Sequence, residues 1–197
     1  MLRAIVAGAA TIAFTYDEGG RITRAQDSTG HLVDYAYDEG GRLARVTSSD
    51  GITRSYTYNS MGQMTTIVER GLFIRNTYEH GRCVRQEIEV RGKDDTTSRQ
   101  TLTWAYTVRS GRLTATEVSR SDGSRSRYEF TQRGYHMSET LEDAHGRRGI
   151  VTFHRDPATQ AVKTLHVSCF PGRGNTTQPL WGRSIEQASQ ELLRTCW

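Results

Sequence analysis

The sequence predicts an all-β fold: a curved or spiralling antiparallel sheet of tandem β-hairpin repeats, followed by a short C-terminal α-helix. Three observations predict it. Tyr16-Asp17-Glu18-Gly19-Gly20-Arg21-Ile22 returns as Tyr37-Asp38-Glu39-Gly40-Gly41-Arg42-Leu43 and, more loosely, as Tyr58-Asn59-Ser60-Met61-Gly62-Gln63-Met64, each 21 residues after the last. A second glycine keeps the same step at Gly30 and Gly51, and an aromatic pair does so at Tyr35/Tyr37 and Tyr56/Tyr58. The 19 glycines and 9 tyrosines against 3 prolines are what many turns and amphipathic aromatic strands require.

The opening segment, Met1-Leu2-Arg3 followed by Ala4 to Ala13, has the short apolar centre of a secretory leader. Phe14-Thr15-Tyr16 nevertheless stands in register with the later repeats, so the segment reads as a first strand. Each unit then divides into two strands of about seven residues, each followed by a glycine turn. In Tyr35-Ala36-Tyr37 the rings are two apart and project from one face. Gly20, Gly30, Gly41, Gly51 and Gly62 are the expected turn positions, because glycine enters the left-handed region without a Cβ clash.

The alternate strands carry an awkward spacing, Leu43 with Val46, Met64 with Ile67 and Val162 with Leu165. Three apart is a helical step, yet the segments are short and rich in Thr and Val, so a β-bulge or sharp twist is expected to restore the facing.

Beyond residue 70 the period drifts while the order of signals holds. Gly71 leads to Tyr78 and Gly81, Trp104/Tyr106 to Gly111-Arg112-Leu113, Gly123 to Tyr128/Phe130 and Gly134, and Gly146 to Val151/Phe153. There Asp156-Pro157 replaces the turn glycine, and the polar stretch Gly92 to Gln100 reads as a long hairpin loop. The total is about seven units and fourteen strands.

These signals set two segments: residues 1–167 as the hairpin array and residues 168–197 as a C-terminal loop and capping helix. Pro171-Gly172-Arg173-Gly174-Asn175 reads as the loop and Pro179 to Gly182 as a turn. Ser184 with Gln187 forms a capping box, and Ile185, Ala188, Leu192 and Leu193 recur at helical spacing, as in a helix covering an open sheet edge or face.

Composition narrows the function. Hydrophobic residues make up 35% of the 197 and mean hydropathy is -0.65, values that imply much surface. The net charge of +4 comes from arginine, with Lys93 and Lys163 the only lysines, and acidic residues are interspersed throughout. No long single-sign run marks a nucleic-acid binder. No apolar stretch approaches the roughly 20 residues a membrane helix needs. Cys83, Cys169 and Cys196 permit one disulfide and lack zinc-knuckle spacing.

Catalytic signals are weak. His136, Asp143 and His145 could act as acid, base and orienter, but the repeat alignment places His136 on a strand and His145 in a turn, and no nucleophile motif flanks them, so solvated turn residues are expected. The Gly-Gly pairs lack the Lys-Ser/Thr and following helix of a phosphate loop. Neither cofactor nor metal is expected. The informative residues are Tyr35, Tyr37, Tyr56, Tyr58, Trp104, Tyr106 and Tyr128, which either form the core or meet a ligand with rings that have an apolar body and a polar tip.

The Tyr-Asp, variable pair, Gly-Arg-Leu, Asp-Gly turn and Tyr-x-Tyr strand together resemble the YD repeat of bacterial Rhs proteins, teneurin cell-surface proteins and insecticidal toxin-complex subunits. The resemblance covers roughly residues 10 to 167. It implies a spiralling sheet forming a hollow shell, often around a toxic C-terminal polypeptide, while other members meet carbohydrate or partner surfaces. A full shell needs many more units. The Asp-Pro-x-Gly-Leu motif that closes Rhs shells is absent, since Asp156-Pro157 continues as Ala158-Thr159.

The expected function is thus a non-enzymatic structural or binding module, secreted or at a bacterial cell surface. Its expected partners are a polypeptide cargo or a cell-surface glycan, with further YD repeats or another copy of itself beside it. Two alternatives stay open: a stand-alone protein holding a lipid, glycan or partner chain on a concave sheet, and a toxin or enzyme domain in residues 134–197.

Overall fold

The computed structural model describes residues 3–8, 10–170 and the backbone of 175–179, and every regular element among them is a β-strand. The chain forms two compact units, Met1–Arg99 and Gln100–Trp197. The first contains β1 (Ala4–Ala7), β2 (Ala10–Tyr16), β3 (Ile22–Asp27), β4 (Leu32–Tyr37), β5 (Leu43–Ser48), β6 (Thr53–Tyr58), β7 (Met64–Glu69), β8 (Leu72–Glu79) and β9 (Arg82–Arg91). The second holds β10 (Thr97–Arg109) from Gln100 onward, β11 (Arg112–Arg120), β12 (Arg125–Phe130), β13 (His136–Glu142), β14 (Arg148–Arg155), β15 (Val162–Phe170) and β16 (Asn175–Pro179).

Within each unit every strand pairs antiparallel with its neighbours in sequence, as a chain of hairpins must. Strand pairing continues past residue 167 through β15 and β16. The helix expected around Ser184 to Leu193 lies outside the described residues. The long loop expected from Gly92 to Gln100 is shorter: β10 starts at Thr97, and a turn closes with Gly92 N–H donating to Thr96 O at 2.7 Å. Polarity misled there, because Arg99 and Glu89 form an ion pair of 2.9 Å that suits strand residues in an exposed ribbon.

The expected turn glycines behave alike. Gly20, Gly30, Gly41, Gly51 and Gly62 all have positive φ, between 75° and 89°. At Gly41, for example, Asp38 N–H donates to Arg42 O (2.8 Å) and Gly41 N–H returns to Asp38 O (2.9 Å).

The period drift beyond residue 70 combines longer strands, with β9 and β10 running to 10 and 13 residues, and turn shortening. Tyr37 pairs with Leu43, but Tyr78 pairs with Cys83 and Glu79 with Arg82, so only His80 and Gly81 remain in the loop. Both have positive φ (49° and 80°), the signature of a two-residue hairpin turn, and Ser110-Gly111 repeats it.

The awkward three-residue spacing is a bulge. Tyr37 faces Leu43 and Ala36 faces Arg45, leaving Ala44 as the extra residue; Thr65 and Lys163 are extra in the same way. Leu43 therefore stands opposite Tyr37 and Val46 opposite Tyr35, while Met64 meets Tyr58 and Ile67 meets Tyr56. The bulge converts a spacing of three into a shared face.

The two units bury this face differently. Among the described residues every buried side chain lies in the second unit, where Val151, Phe153, Leu165, Val167 and Cys169 form a core with Leu141 and Val162 against it. In the first unit the equivalent residues, Tyr35, Val46, Tyr56 and Ile67 among them, are half-buried. The opposite face is polar, carrying the Arg24–Asp34 pair (2.6 Å) and the Thr57–Thr66 hydroxyl contact (2.6 Å).

Candidate functional site

The repeat motif builds a ladder. Asp17 uses one carboxylate oxygen to accept the Arg21 backbone N–H (2.9 Å) and the other to accept Arg21 Nε (2.7 Å). Asp38 holds Arg42 identically, at 2.8 Å for each bond. The aspartate thus closes its turn and fixes the arginine, whose backbone N–H holds each carboxyl below the usual carboxylate range.

Each fixed guanidinium then lies over the tyrosine one repeat later: Arg21 over Tyr37 at 4.8 Å and Arg42 over Tyr58 at 4.9 Å. That tyrosine in turn reaches back. Tyr37 Oη donates to Ile22 O (2.7 Å), Tyr58 Oη to Leu43 O (2.8 Å) and Tyr78 Oη to Met64 O (2.8 Å). Arg42 Nη1 also donates to Asn59 O in the following turn (3.1 Å). In the third repeat the pair is neutral, with Asn59 accepting Gln63 N–H (3.0 Å) and donating to Gln63 Oε1 (2.8 Å).

The seven aromatic residues singled out in the sequence consequently split by role. Tyr37 and Tyr58 are structural, clamped between a guanidinium and a carbonyl, and burial pushes the Tyr58 hydroxyl above its ordinary pKa. Tyr35 and Tyr56 share their face but stand outside this Tyr-to-carbonyl series, opposite Val46 and Ile67. Trp104, Tyr106 and Tyr128 belong to the second unit, where Trp104 faces Val118 and both tyrosines flank Thr116.

Tyr58→Phe should cost the first unit about 1 kcal/mol, since it leaves the Leu43 carbonyl without its hydroxyl partner while keeping the ring beneath Arg42. Urea unfolding followed by circular dichroism measures it. A loss equal to that of Tyr35→Phe would show that the backward bond adds nothing.

Two devices escaped the sequence reading. Serines in the alternate turns clasp the adjoining strand: Ser28 N–H donates to Thr11 O (2.8 Å) while Ser28 Oγ accepts Thr11 N–H (3.3 Å). Ser49 with Leu32 and Ser121 with Thr101 repeat this. The signal was the 21-residue step from Ser28 to Ser49. The second device is Asp143-Ala144-His145-Gly146-Arg147, a copy of the Asp17–Arg21 turn in which Asp143 accepts Arg147 N–H (2.9 Å) and Arg147 Nε (2.6 Å). Asp143 is thereby engaged as a turn residue, and His145 donates its own N–H to it (2.9 Å).

His136 sits instead on β13 among rings, 4.4 Å from Phe153, 5.6 Å from Phe130 and 5.8 Å from Tyr128. Its Nε2 lies 3.0 Å from Ser138 O, and Arg155 binds its backbone carbonyl (3.0 Å from Nη2). Burial, reinforced by the Arg155 charge, lowers its pKa from the ordinary 6.5 against the opposing pull of the Ser138 carbonyl. A folded-state pKa below the unfolded one means that the neutral ring stabilises the fold above pH 6.5, and that this contribution is lost as pH falls through 6.5 toward the folded value. Acidification from pH 7 should therefore loosen the second unit, and His136→Phe should flatten that part of the stability profile. Thermal melts across this range, with an unchanged slope in the variant, would sink the assignment.

Among the described residues no group of three His, Cys, Asp or Glu could hold a metal ion. Cys169 is disulfide-bonded and Cys83 is not.

Comparison with known proteins agrees with this ladder. Residues 2–71 match the family model described as Teneurin YD-shell. No curated protein sequence matches the chain. Among solved structures it is similar to the crystal structure of TcdB2-TccC3-TEV, with TM-score 0.63 and 17% identity, covering 86% of this chain and 10% of that one. TcdB2-TccC3 gives TM-score 0.61 at 17% identity over 86% and 10% of the respective chains. The Tc holotoxin pore of Photorhabdus luminescens, with a TccC3 mutation, gives 0.60 at 17% over 86% and 9%. This chain spans about a tenth of the length of these structures, and at that identity the likeness is one of fold. Residues 2–71 thus carry the Teneurin YD-shell pattern, and within them Tyr37 and Tyr58 reach back to the carbonyls of Ile22 and Leu43.

Proposed function

We propose that this chain is a non-enzymatic wall segment of a larger YD-repeat assembly and that its tyrosine face in residues 1–99 holds an unfolded polypeptide. The observation that carries the reading is the division of labour among the rings. Tyr37, Tyr58 and Tyr78 fasten one repeat to the last, while Tyr35 and Tyr56 stay half-buried on an apolar face among Val33, Val46 and Ile67. Such a surface offers apolar area and polar tips without sequence demands, which suits a chain of mixed composition. Similarity to the TcdB2-TccC3 structures supports the wall reading, and a secreted or cell-surface setting goes with it.

The test uses the full chain and reduced, carboxymethylated α-lactalbumin, a permanently unfolded probe. Saturable binding, weakened at least about tenfold by the double variant Tyr35→Ser/Tyr56→Ser, is expected, since two ring contacts of about 1 kcal/mol each are lost. Circular dichroism confirms that the variant keeps its strands. Undiminished binding by the folded variant would overturn the reading, as would failure of the parent chain to bind.

A further inference from the structure

We propose that a hollow on the second unit, beside the β11–β12 and β13–β14 turns, binds a small apolar monocarboxylate. This goes beyond the wall reading and does not depend on it. The hollow has a volume of about 270 Å³, just under the usual span of drug-sized ligand sites, as suits a compact acid. Ser126 and Tyr128 stand two apart on β12 and so project from one face. Leu141 and Glu139 of β13 lie opposite them, and Arg120 ends β11 on their other side.

The polar groups are held to one another. Ser126 is 1% exposed, and its hydroxyl oxygen accepts Arg120 Nη1 at 2.9 Å. Both Ser126 and Arg120 also reach the Tyr128 hydroxyl. Arg120 is half-buried with these neutral oxygens as partners, and no carboxylate pairs with it among the described residues. A guanidinium partly withdrawn from water on neutral acceptors alone has its charge unmatched, and a carboxylate from outside supplies the match. Burial, aided by the Glu139 charge, pushes the Tyr128 hydroxyl above its ordinary pKa, so at neutral pH it keeps the proton it would donate.

These features select the ligand class. Arg120 offers planar donors to one carboxylate, Tyr128 adds a neutral donor, and the Tyr128 ring with Leu141 gives apolar wall for a short hydrocarbon chain. Glu139, opposite Tyr128, sets the limit: a phosphate or sulfate dianion would bring a second negative charge beside it. A free branched-chain acid and the C-terminus of an apolar peptide present the same chemistry.

Calorimetric titration of the full chain with 3-methylbutanoate and with N-acetylglycyl-leucine, each against its neutral amide, tests this. At least one acid should bind saturably and at least about tenfold tighter than its amide, the size of one charge-assisted bond. Tighter binding of the peptide identifies a chain terminus as the source, and tighter binding of 3-methylbutanoate a free acid. Arg120→Gln should weaken the tighter acid by about tenfold or more, with strands retained by circular dichroism. Tyr128→Phe, which keeps the ring, should weaken it about fivefold. Arg127→Gln removes an equal charge from the other face of β12, opposite Glu117 and Thr140, and should leave affinity within about twofold. Absence of saturable binding, equal affinity for the amides, inorganic phosphate binding as tightly as the acids, full affinity in Tyr128→Phe, or equal losses in Arg120→Gln and Arg127→Gln would each overturn the proposal.

Discussion

Leu165→Ala should destabilise the second unit by about 3 kcal/mol, within the range of large-to-small changes at fully buried sites. Leu165 is 1% exposed and stands opposite Phe153 on β14, with Val151 and Val167 both at 0% in the same cluster. Truncation removes its apolar contacts and leaves a void that the sheet cannot close, because its neighbours are pinned by strand pairing on both sides. Val46→Ala is the proper reference. Val46 holds a comparable place opposite Tyr35 in the first unit but is half-buried, so its loss should stay near 1 kcal/mol. Urea unfolding by tryptophan fluorescence reads the second unit selectively, since Trp104, Trp181 and Trp197 all follow residue 100. Equal losses in the two variants would mean that the cluster around Leu165 is no tighter than the tyrosine face.

Gly71→Ala should cost about 3 kcal/mol, well above the figure for the other turn glycines. Two terms add. At a φ of 74° an alanine Cβ costs about 1–2 kcal/mol against its own backbone. It would also lie 2.8 Å from Arg91 O, a backbone atom in β9 that has no freedom to retreat, because Arg91 N–H is bonded to Gly71 O at 2.7 Å. Gly62→Ala supplies the comparison: its φ is 78°, yet nothing lies within 4 Å of the added carbon, so only the first term applies. Hydrogen exchange across residues 64–91 should show the difference, with Gly71→Ala losing protection that Gly62→Ala keeps. Parity between them would remove the clash from the account.

Much of this architecture was legible because the repeat encodes it twice, once as turn glycines and once as paired tyrosines. The turn positions, the bulge behind Leu43 and Val46, and the shared face of Tyr35 and Tyr37 all follow from local chemistry. What stayed hidden is contact between repeats. Nothing local to Arg42 shows that it covers Tyr58 or that Tyr58 reaches Leu43 O; only the combination of the 21-residue period with strand register does. Polarity was the weaker guide, reading Thr97 to Gln100 as loop where cross-strand charge supports a strand. Asp143 and His145, weighed as chemistry and set aside in favour of turn residues, do stand in a turn like Asp17–Arg21.

The backward reach of each tyrosine hydroxyl has a genetic consequence. A fastener whose two halves sit in consecutive copies of the same short segment is replicated intact whenever that segment is duplicated, so a gene of this kind can lengthen or shorten by whole copies without inventing a new joint. Errors that shift the copy by one or two codons would instead separate arginine, ring and carbonyl at once. Length should therefore vary in this lineage far more readily than phase.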